Sequence, residues 1–146
     1  LLLFTQCKKE EEQASELQNI ETIYLYTGTS SVNEQYTVTK EETSGKKAAK
    51  AQIEQFNCGE KEAKSFYLSK EEYTGLLLIL EQYEVAKWNR YEVKGEPVAG
   101  GYRTTLKIGT EENPEQFTLK ATDSTELPEN FSAFKEEFTA QLKSKQ

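Results

Sequence analysis

The residues best suited to recognition chemistry are aromatic and arginine side chains on either side of one glycine-rich stretch. Tyrosine and tryptophan are enriched at binding surfaces, and arginine suits the bidentate recognition of carboxylate and phosphate groups. The alternative is that the rings belong to the hydrophobic core and that the arginines are solvated strand residues. The candidate binding surface consists of Trp88, Arg90 and Tyr91 before the segment 94–101, and of Tyr102 and Arg103 after it.

The sequence offers little for catalysis. It has no histidine, which removes the commonest general base and the commonest metal ligand. Several of its glutamates occur as adjacent pairs, such as Glu71 with Glu72, and adjacent residues point to different sides of a helix. No acidic segment has the ligand spacing of a calcium-binding loop. We therefore expect a protein that is not an enzyme, with no catalytic residue, metal or cofactor.

Two alternatives from other functional classes stay open. A glutamate-dependent hydrolase would need two carboxyl groups that converge across a cleft at about 5–9.5 Å. An inhibitor of another enzyme would use the segment 94–101 as an exposed, inserted loop. A concave pocket lined by aromatic residues would instead favour ligand binding.

The charge of the chain restricts its partners. The formal net charge is −7 at pH 7, and Asp123 is the only aspartate, so the acidity comes almost entirely from glutamate. Nucleic-acid binding depends on clustered lysine and arginine, and this balance argues against it. The chain also lacks methionine, so we expect that its natural N-terminus lies upstream.

The first residues form a recognisable pattern around Cys7. The apolar run Leu1–Phe4 is too short to span a bilayer, and it is followed by Cys7 and then by the charged sequence KKEEE. The sequence LFTQC resembles the lipobox of bacterial lipoproteins, although Gln6 stands where that class favours a small residue. The charged tail is similar to the export signal of Bacteroidetes surface lipoproteins. The resemblance implies that Cys7 carries the lipid and that the protein is anchored at a bacterial outer membrane or cell surface.

The second cysteine leaves an alternative at Cys7. If Cys7 is acylated, we expect Cys58 to be a single buried thiol. A Cys7–Cys58 disulfide in a secreted protein, without an anchor, is the competing interpretation. The residues on either side of Cys7 favour acylation.

The elements that would position these residues follow from periodicity. Ser69 and Glu72 have the spacing of a capping box ahead of an apolar run, which predicts a helix over about 69–83 with Leu77 and Leu80 buried. Gly75 suggests that another element packs closely on this helix. Phenylalanines at helical spacing predict a second helix over about 128–143, opened by Pro128.

Alternating apolar and polar residues predict about six strands around these helices. The order strands, helix, strands, helix favours an α+β fold with an antiparallel sheet and two helices packed on it. We expect residues 1–7 to be the end of a signal segment, 8–19 a charged flexible tether, and 20–146 a single α+β domain. The expected function is that of a lipid-anchored, non-catalytic binding or accessory module of the cell envelope, whose partner is a protein, small molecule or glycan.

Overall fold

The strands of this protein have one apolar and one polar side. In β1, Ile23 and Leu25 are buried, whereas the intervening Tyr24 and Tyr26 are half-buried. Successive side chains of a strand point to opposite faces of the sheet, so this alternation divides the sheet into a core face and a polar face. The computed structural model describes residues 19–41, 47–92, 101–122 and 127–145. Its strands are β1 (Thr22–Gly28), β2 (Val32–Lys40), β3 (Lys47–Asn57), β4 (Glu60–Ser69), β5 (Tyr91–Glu92), β6 (Arg103–Gly109) and β7 (Phe117–Ala121).

These strands form one seven-stranded sheet in the order β4-β3-β2-β1-β6-β7-β5. All neighbours are antiparallel except β5 and β7, which are parallel. The predicted α+β class with two helices on a mostly antiparallel sheet is confirmed. The additional strand is the two-residue β5.

The first helix, α1 (Lys70–Gln82), begins at the predicted capping box. The Glu72 backbone N–H donates to Ser69 Oγ at 3.1 Å, and the Ser69 backbone N–H donates to Glu72 Oε1 at 2.9 Å. Two backbone donors that the first turn of a helix leaves unpaired are thereby satisfied. Because β4 ends at Ser69, the same residue ends the strand and caps the helix.

Helix α1 is covered on one side only. Leu80 is fully buried and Leu77 partly buried, but Leu78 is 57% exposed. The prediction of a close neighbour at Gly75 is wrong, because a Cβ atom added there would meet nothing within 4 Å. This glycine therefore faces open space and leaves the helix without a packing contact at that point.

The second helix, α2 (Phe131–Lys143), starts later than the sequence suggested. Its first residue follows Asn130, so Pro128 lies in the preceding turn, where its carbonyl accepts from the Phe131 N–H at 3.0 Å. The helix is anchored by its aromatic residues, since the rings of Phe134 and Phe138 stack at 5.5 Å. Phe131 and Phe134 are also in contact, with ring centroids 5.9 Å apart.

Polar contacts join the two helices to each other and to the sheet. The Tyr83 hydroxyl, just after α1, donates to Glu137 of α2. The Tyr73 hydroxyl of α1 donates to the backbone carbonyl of Ile20, and burial raises the pKa of Tyr73 to about 12. Both helices therefore lie on the apolar face of the sheet. In the described part of the chain, no helix has the length and apolar character needed to cross a bilayer.

Candidate functional site

Trp88 belongs to the core and not to a binding surface. It ends a short 3-10 helix, Val85–Trp88, and only 8% of its surface is exposed. Its ring lies 5.6 Å from the rings of both Phe131 and Phe134. Trp88 is therefore a core aromatic residue, which was the alternative interpretation of this ring. Its burial against α2 leaves it unavailable to a ligand.

Tyr91 and Tyr102 lie on the helix side of the sheet. Tyr91 pairs with the buried Leu119 and packs partly against the core. The Tyr102 hydroxyl accepts a hydrogen bond from Lys135 Nζ of α2 at 2.9 Å. Arg103, the next residue, is exposed and has the opposite orientation in β6, because its neighbour Thr104 is buried. The residues around the glycine-rich segment are therefore divided between the two faces of the sheet.

The two arginines lie at opposite ends of β7. The Arg90 backbone N–H donates to the Thr118 carbonyl at 2.7 Å, which places Arg90 beside the start of β7. Arg103 starts β6 just beyond the Thr104–Ala121 pair, at the other end of that ladder. Strand rise and spacing put the two Cα atoms roughly 16 Å apart. The two side chains therefore start from well-separated points of the sheet.

The remaining sequence predictions concern residues outside the described ranges or a surface cysteine. Several predicted features lie outside the described residues, namely Cys7, the signal segment 1–7, the tether as far as residue 18, and residues 93–100 of the inhibitor loop. The prediction of a buried thiol at Cys58 is wrong. Cys58 is free and exposed in the turn between β3 and β4, with φ of 48°.

The polar side of the sheet defines a different candidate surface, which we call the open face. It is the side opposite α1 and α2, and its residues follow from the strand register and the alternation of burial. Threonine, glutamine, tyrosine and lysine dominate it, and most of these side chains are partly or fully exposed. Its central members are Thr22, Tyr24 and Tyr26 of β1, Gln35, Thr37 and Thr39 of β2, Lys50, Gln52 and Glu54 of β3, Arg103, Thr105 and Lys107 of β6, and Thr118 and Lys120 of β7.

The open face contains a concavity of about 480 Å³ over β1. Tyr24 and Lys107 are directly paired across β1 and β6, and the ammonium of Lys107 lies 5.9 Å from the centre of the Tyr24 ring. The Tyr24 hydroxyl donates to Gln35 Oε1 at 2.9 Å, which fixes the direction of the ring. The lining combines this aromatic ring with hydroxyl and charged groups, namely those of Thr22, Thr37, Thr39, Lys107 and Glu115.

The rim of this concavity is built by the turn between β6 and β7. Thr110 holds the turn, because its Oγ1 accepts from the Asn113 N–H at 3.0 Å and its N–H donates to the Asn113 carbonyl at 3.1 Å. A Cβ atom at Gly109 would lie 2.0 Å from the Asn113 carbonyl oxygen, so only glycine allows this close approach. The turn thereby brings Pro114 and Glu115 to the edge of the concavity.

The electrostatics of the larger concavity centre on one ion pair. Lys107 Nζ contacts Glu115 Oε1 at 2.7 Å, and this hydrogen bond holds the pKa of Glu115 below its ordinary value. Burial, followed by the nearby Tyr26 and Glu54, raises the pKa of Tyr24, so its hydroxyl stays protonated as a donor. The Thr22 hydroxyl is buried beside the concavity, and no described group bonds to it. These groups can orient a polar ligand over the Tyr24 ring.

A second concavity of about 310 Å³ lies on the same face, towards the other end of β2. Gln35 connects the two, because it accepts from Tyr24 and its Nε2 donates to Asn33 Oδ1 at 3.3 Å. Asn33 in turn donates to the Thr29 carbonyl at 3.0 Å. The second concavity also contains Glu54 and Lys61, which form an ion pair at 3.5 Å. One hydrogen-bonded path therefore runs along the open face between both concavities.

A third concavity, of about 210 Å³, lies beside Ile53 and Lys143. None of the three concavities brings two glutamates together. Each contains one glutamate: Glu115, Glu54 or Glu62. Among the residues that the structure describes, no group of three or more acidic or cysteine side chains is arranged to hold a metal. The hydrolase alternative thus finds no pair of carboxyl groups in these three concavities.

Tyr24 and Lys107 do not belong to the predicted binding surface, although the sequence contains one signal for Tyr24. The alternation in TIYLYTG places two tyrosines on the polar side of a strand, where burial in the core does not explain them. The proximity of Lys107 to Tyr24 could not be predicted from the sequence, because it depends on the pairing of β1 with β6. Comparison of the chain with protein-family models, with curated proteins and with solved structures finds no match.

Proposed function

We propose that this protein is a non-catalytic binding module of a bacterial cell envelope, anchored by a lipid on Cys7, that binds a polar ligand on the open face. The observation that carries the binding proposal is the concavity around Tyr24. It combines an aromatic ring, hydroxyl groups and an ammonium group on a rigid sheet, which is the composition of a site for a polar ligand.

The rigidity of the open face supports a binding role. The strands that carry it are held from behind by α1 and α2, whose buried side chains complete the core. A binding site on strands needs no ordering of its backbone when the ligand arrives, so less conformational entropy is lost than at a loop. The Tyr24–Gln35 hydrogen bond adds to this preorganisation.

The anchoring proposal is supported by the sequence around Cys7 only. An apolar run, a cysteine and a charged tail occur there in the order found in bacterial lipoproteins. One acyl chain gives only marginal membrane binding of about 10⁴ M⁻¹, so stable anchoring requires at least two chains. The proposed anchor therefore includes acyl groups on both the thiol and the amino group of Cys7.

The anchoring proposal is tested by metabolic labelling of the full-length precursor in a bacterial host. We expect labelled fatty acid on the wild-type protein and its recovery in membranes. Cys7→Ser should abolish both, whereas the matched variant Cys58→Ser should change neither. Label on the Cys7→Ser protein, or a soluble wild-type protein with Cys7 bonded to Cys58, would overturn it.

A further inference from the structure

We propose that the ligand of the open face is an acidic polysaccharide, whose sugar rings lie over Tyr24 and whose acidic groups contact lysine and arginine of β6 and β7. This inference deepens the proposed function and depends on the open face being the binding surface. Its basis is the separation of charge on the sheet, the chemistry of the side chains and the spacing of the two concavities.

The open face is basic in an acidic protein. The formal charge of the chain is −7, yet the strand residues on this face include six basic and two acidic side chains, and the turn between β6 and β7 adds the acidic Glu115 at the edge of the larger concavity. Lys47 belongs to this set, because its ammonium lies 4.3 Å from the ring centre of the open-face residue Tyr67. The basic residues are Lys47, Lys50, Lys61, Arg103, Lys107 and Lys120, and the acidic ones are Glu54 and Glu92.

Three of these cations have no ion-pair partner among the described residues, although Glu92 is the cross-strand neighbour of Lys120 and Glu115 also interacts with Lys120 electrostatically. Lys61 and Lys107 have glutamate partners, but Lys50, Arg103 and Lys120 form no ion pair with any described residue. Lys120 is paired with Thr105 across β6 and β7, so Arg103 and Lys107 both lie diagonally from it at about 7–8 Å. Arg103, Lys107 and Lys120 therefore form a triangle of basic side chains beside the tyrosines of β1. Glu115 and Glu92 offset part of its charge, and a ligand with negative charges would complement the remainder.

The side chains between these charges favour a sugar over a protein partner. The centre of a stable protein interface is apolar and depleted of charge, whereas the centre of the open face is threonine, glutamine and lysine. A sugar ring has an apolar C–H face and a hydroxyl edge. It can lie on the Tyr24 ring while its hydroxyl groups reach Thr37 and Thr39, which line the same concavity. The basic triangle then distinguishes an acidic sugar from a neutral one.

The arrangement of the concavities favours a chain of sugars over a single unit. Thr37 and Thr39 line the larger concavity, and Asn33 and Gln35 line the smaller one on the same strand. The strand rise puts the centres of the two roughly 13 Å apart, which a single sugar ring does not span. Gln35 is hydrogen-bonded between them, so one polymer can follow β2 across both.

A matched pair of polymers tests the charge requirement. The probes are polygalacturonate and the same polymer fully methyl-esterified, which keeps the backbone and removes the charge. We expect the purified full chain to bind polygalacturonate at least about tenfold more tightly, since the esterified polymer cannot form charge-assisted hydrogen bonds with the basic side chains. The affinity should fall as NaCl increases from about 50 to 500 mM, because surface charges are screened.

Variants locate the binding surface. Lys120→Glu should weaken the binding of polygalacturonate about tenfold or more, and Arg103→Glu serves as a second variant at the same triangle. Lys70→Glu is the matched control, because it changes the net charge by the same amount at an exposed position of α1. This variant should leave the affinity unchanged. Equal loss in Lys70→Glu and Lys120→Glu would mean that only net charge matters and would overturn the proposal.

The remaining outcomes separate this inference from the proposed function. If both polymers bind equally and Tyr24→Ala abolishes this binding, the open face remains the binding site. The proposal that the ligand is acidic would then be overturned. Tighter binding of a single-stranded oligonucleotide than of polygalacturonate would overturn it in favour of nucleic acid, which also stacks on aromatic side chains. Binding of none of these probes overturns the acidic polysaccharide, while a neutral or small polar ligand that depends on Tyr24 would still support the proposed function.

Discussion

The two faces of the sheet are made by the same strands but have different chemistry. In β1, the fully buried Leu25 and the half-buried Tyr24 are neighbours in sequence and point in opposite directions. The helix face is filled by aliphatic side chains and by the phenylalanines of α2, whereas the open face is polar and basic. The comparison indicates that the helix face supplies most of the free energy of folding, which leaves the open face available for binding.

The largest effect is expected where the helix face is most closely packed. Phe134 is fully buried, and its ring contacts those of Tyr83, Trp88, Phe131 and Phe138. Phe134→Ala should lower the free energy of unfolding by about 3–5 kcal/mol, because it removes apolar contacts and leaves a cavity. Urea denaturation measures this loss.

The open-face control for this variant is Tyr24→Phe. It removes only the hydroxyl that donates to Gln35, so the expected loss is about 0.5–1.5 kcal/mol. If the two variants lose the same free energy, the stability of the protein is not concentrated on its helix face.

A smaller and sharper comparison is available within α1. Leu80 is fully buried and Leu78 is 57% exposed, although they are two residues apart. Leu80→Ala should cost about 2–5 kcal/mol of unfolding free energy, whereas Leu78→Ala should stay within about 0.5 kcal/mol. Similar losses in denaturant melts would show that a second surface covers α1.

The smallest expected effect concerns the first turn of α1 and depends on pH. The backbone N–H of Ser69 and, to a smaller extent, the ammonium of Lys145 hold the pKa of Glu72 below its ordinary value of 4.5. A carboxylate whose pKa is depressed on folding stabilises the fold above its unfolded pKa, and this contribution is lost as the pH falls through its folded pKa. The stabilisation by Glu72 is therefore present at neutral pH and disappears in acid.

The variant Glu72→Gln keeps an oxygen for the capping bond but removes the charge. At pH 7 it should lower the unfolding free energy by about 0.3–1 kcal/mol, the typical effect of a charge near a helix N-terminus. The difference from wild type should shrink as the pH falls below about 4.5. Glu81→Gln, in the last turn, is the control and should not destabilise at pH 7; a difference for Glu72→Gln that grows in acid would contradict the assignment.

The residues of the binding surface predicted from the sequence are separated in the folded protein. Trp88 and Arg103 are near each other in sequence but lie on different sides of the molecule, one in the core and one on the open face. Their separation depends on β5 pairing with β7 and on the direction in which β6 starts. No local pattern encodes that pairing, because an aromatic residue at the start of a strand suits either face equally.

Local residue patterns were sufficient to predict the main elements of this protein. The Ser69–Glu72 capping box, the phenylalanine spacing of α2 and the alternation of β1 are each fixed by backbone geometry over a few residues. Tertiary structure decided which of those elements meet. Tyr24 lies beside Lys107 only because β6 pairs with β1, and Arg103 joins Lys107 and Lys120 only because β7 is the next strand. Strand order and register depend on which apolar faces can be buried together across the whole chain, and that is a property of the assembled core.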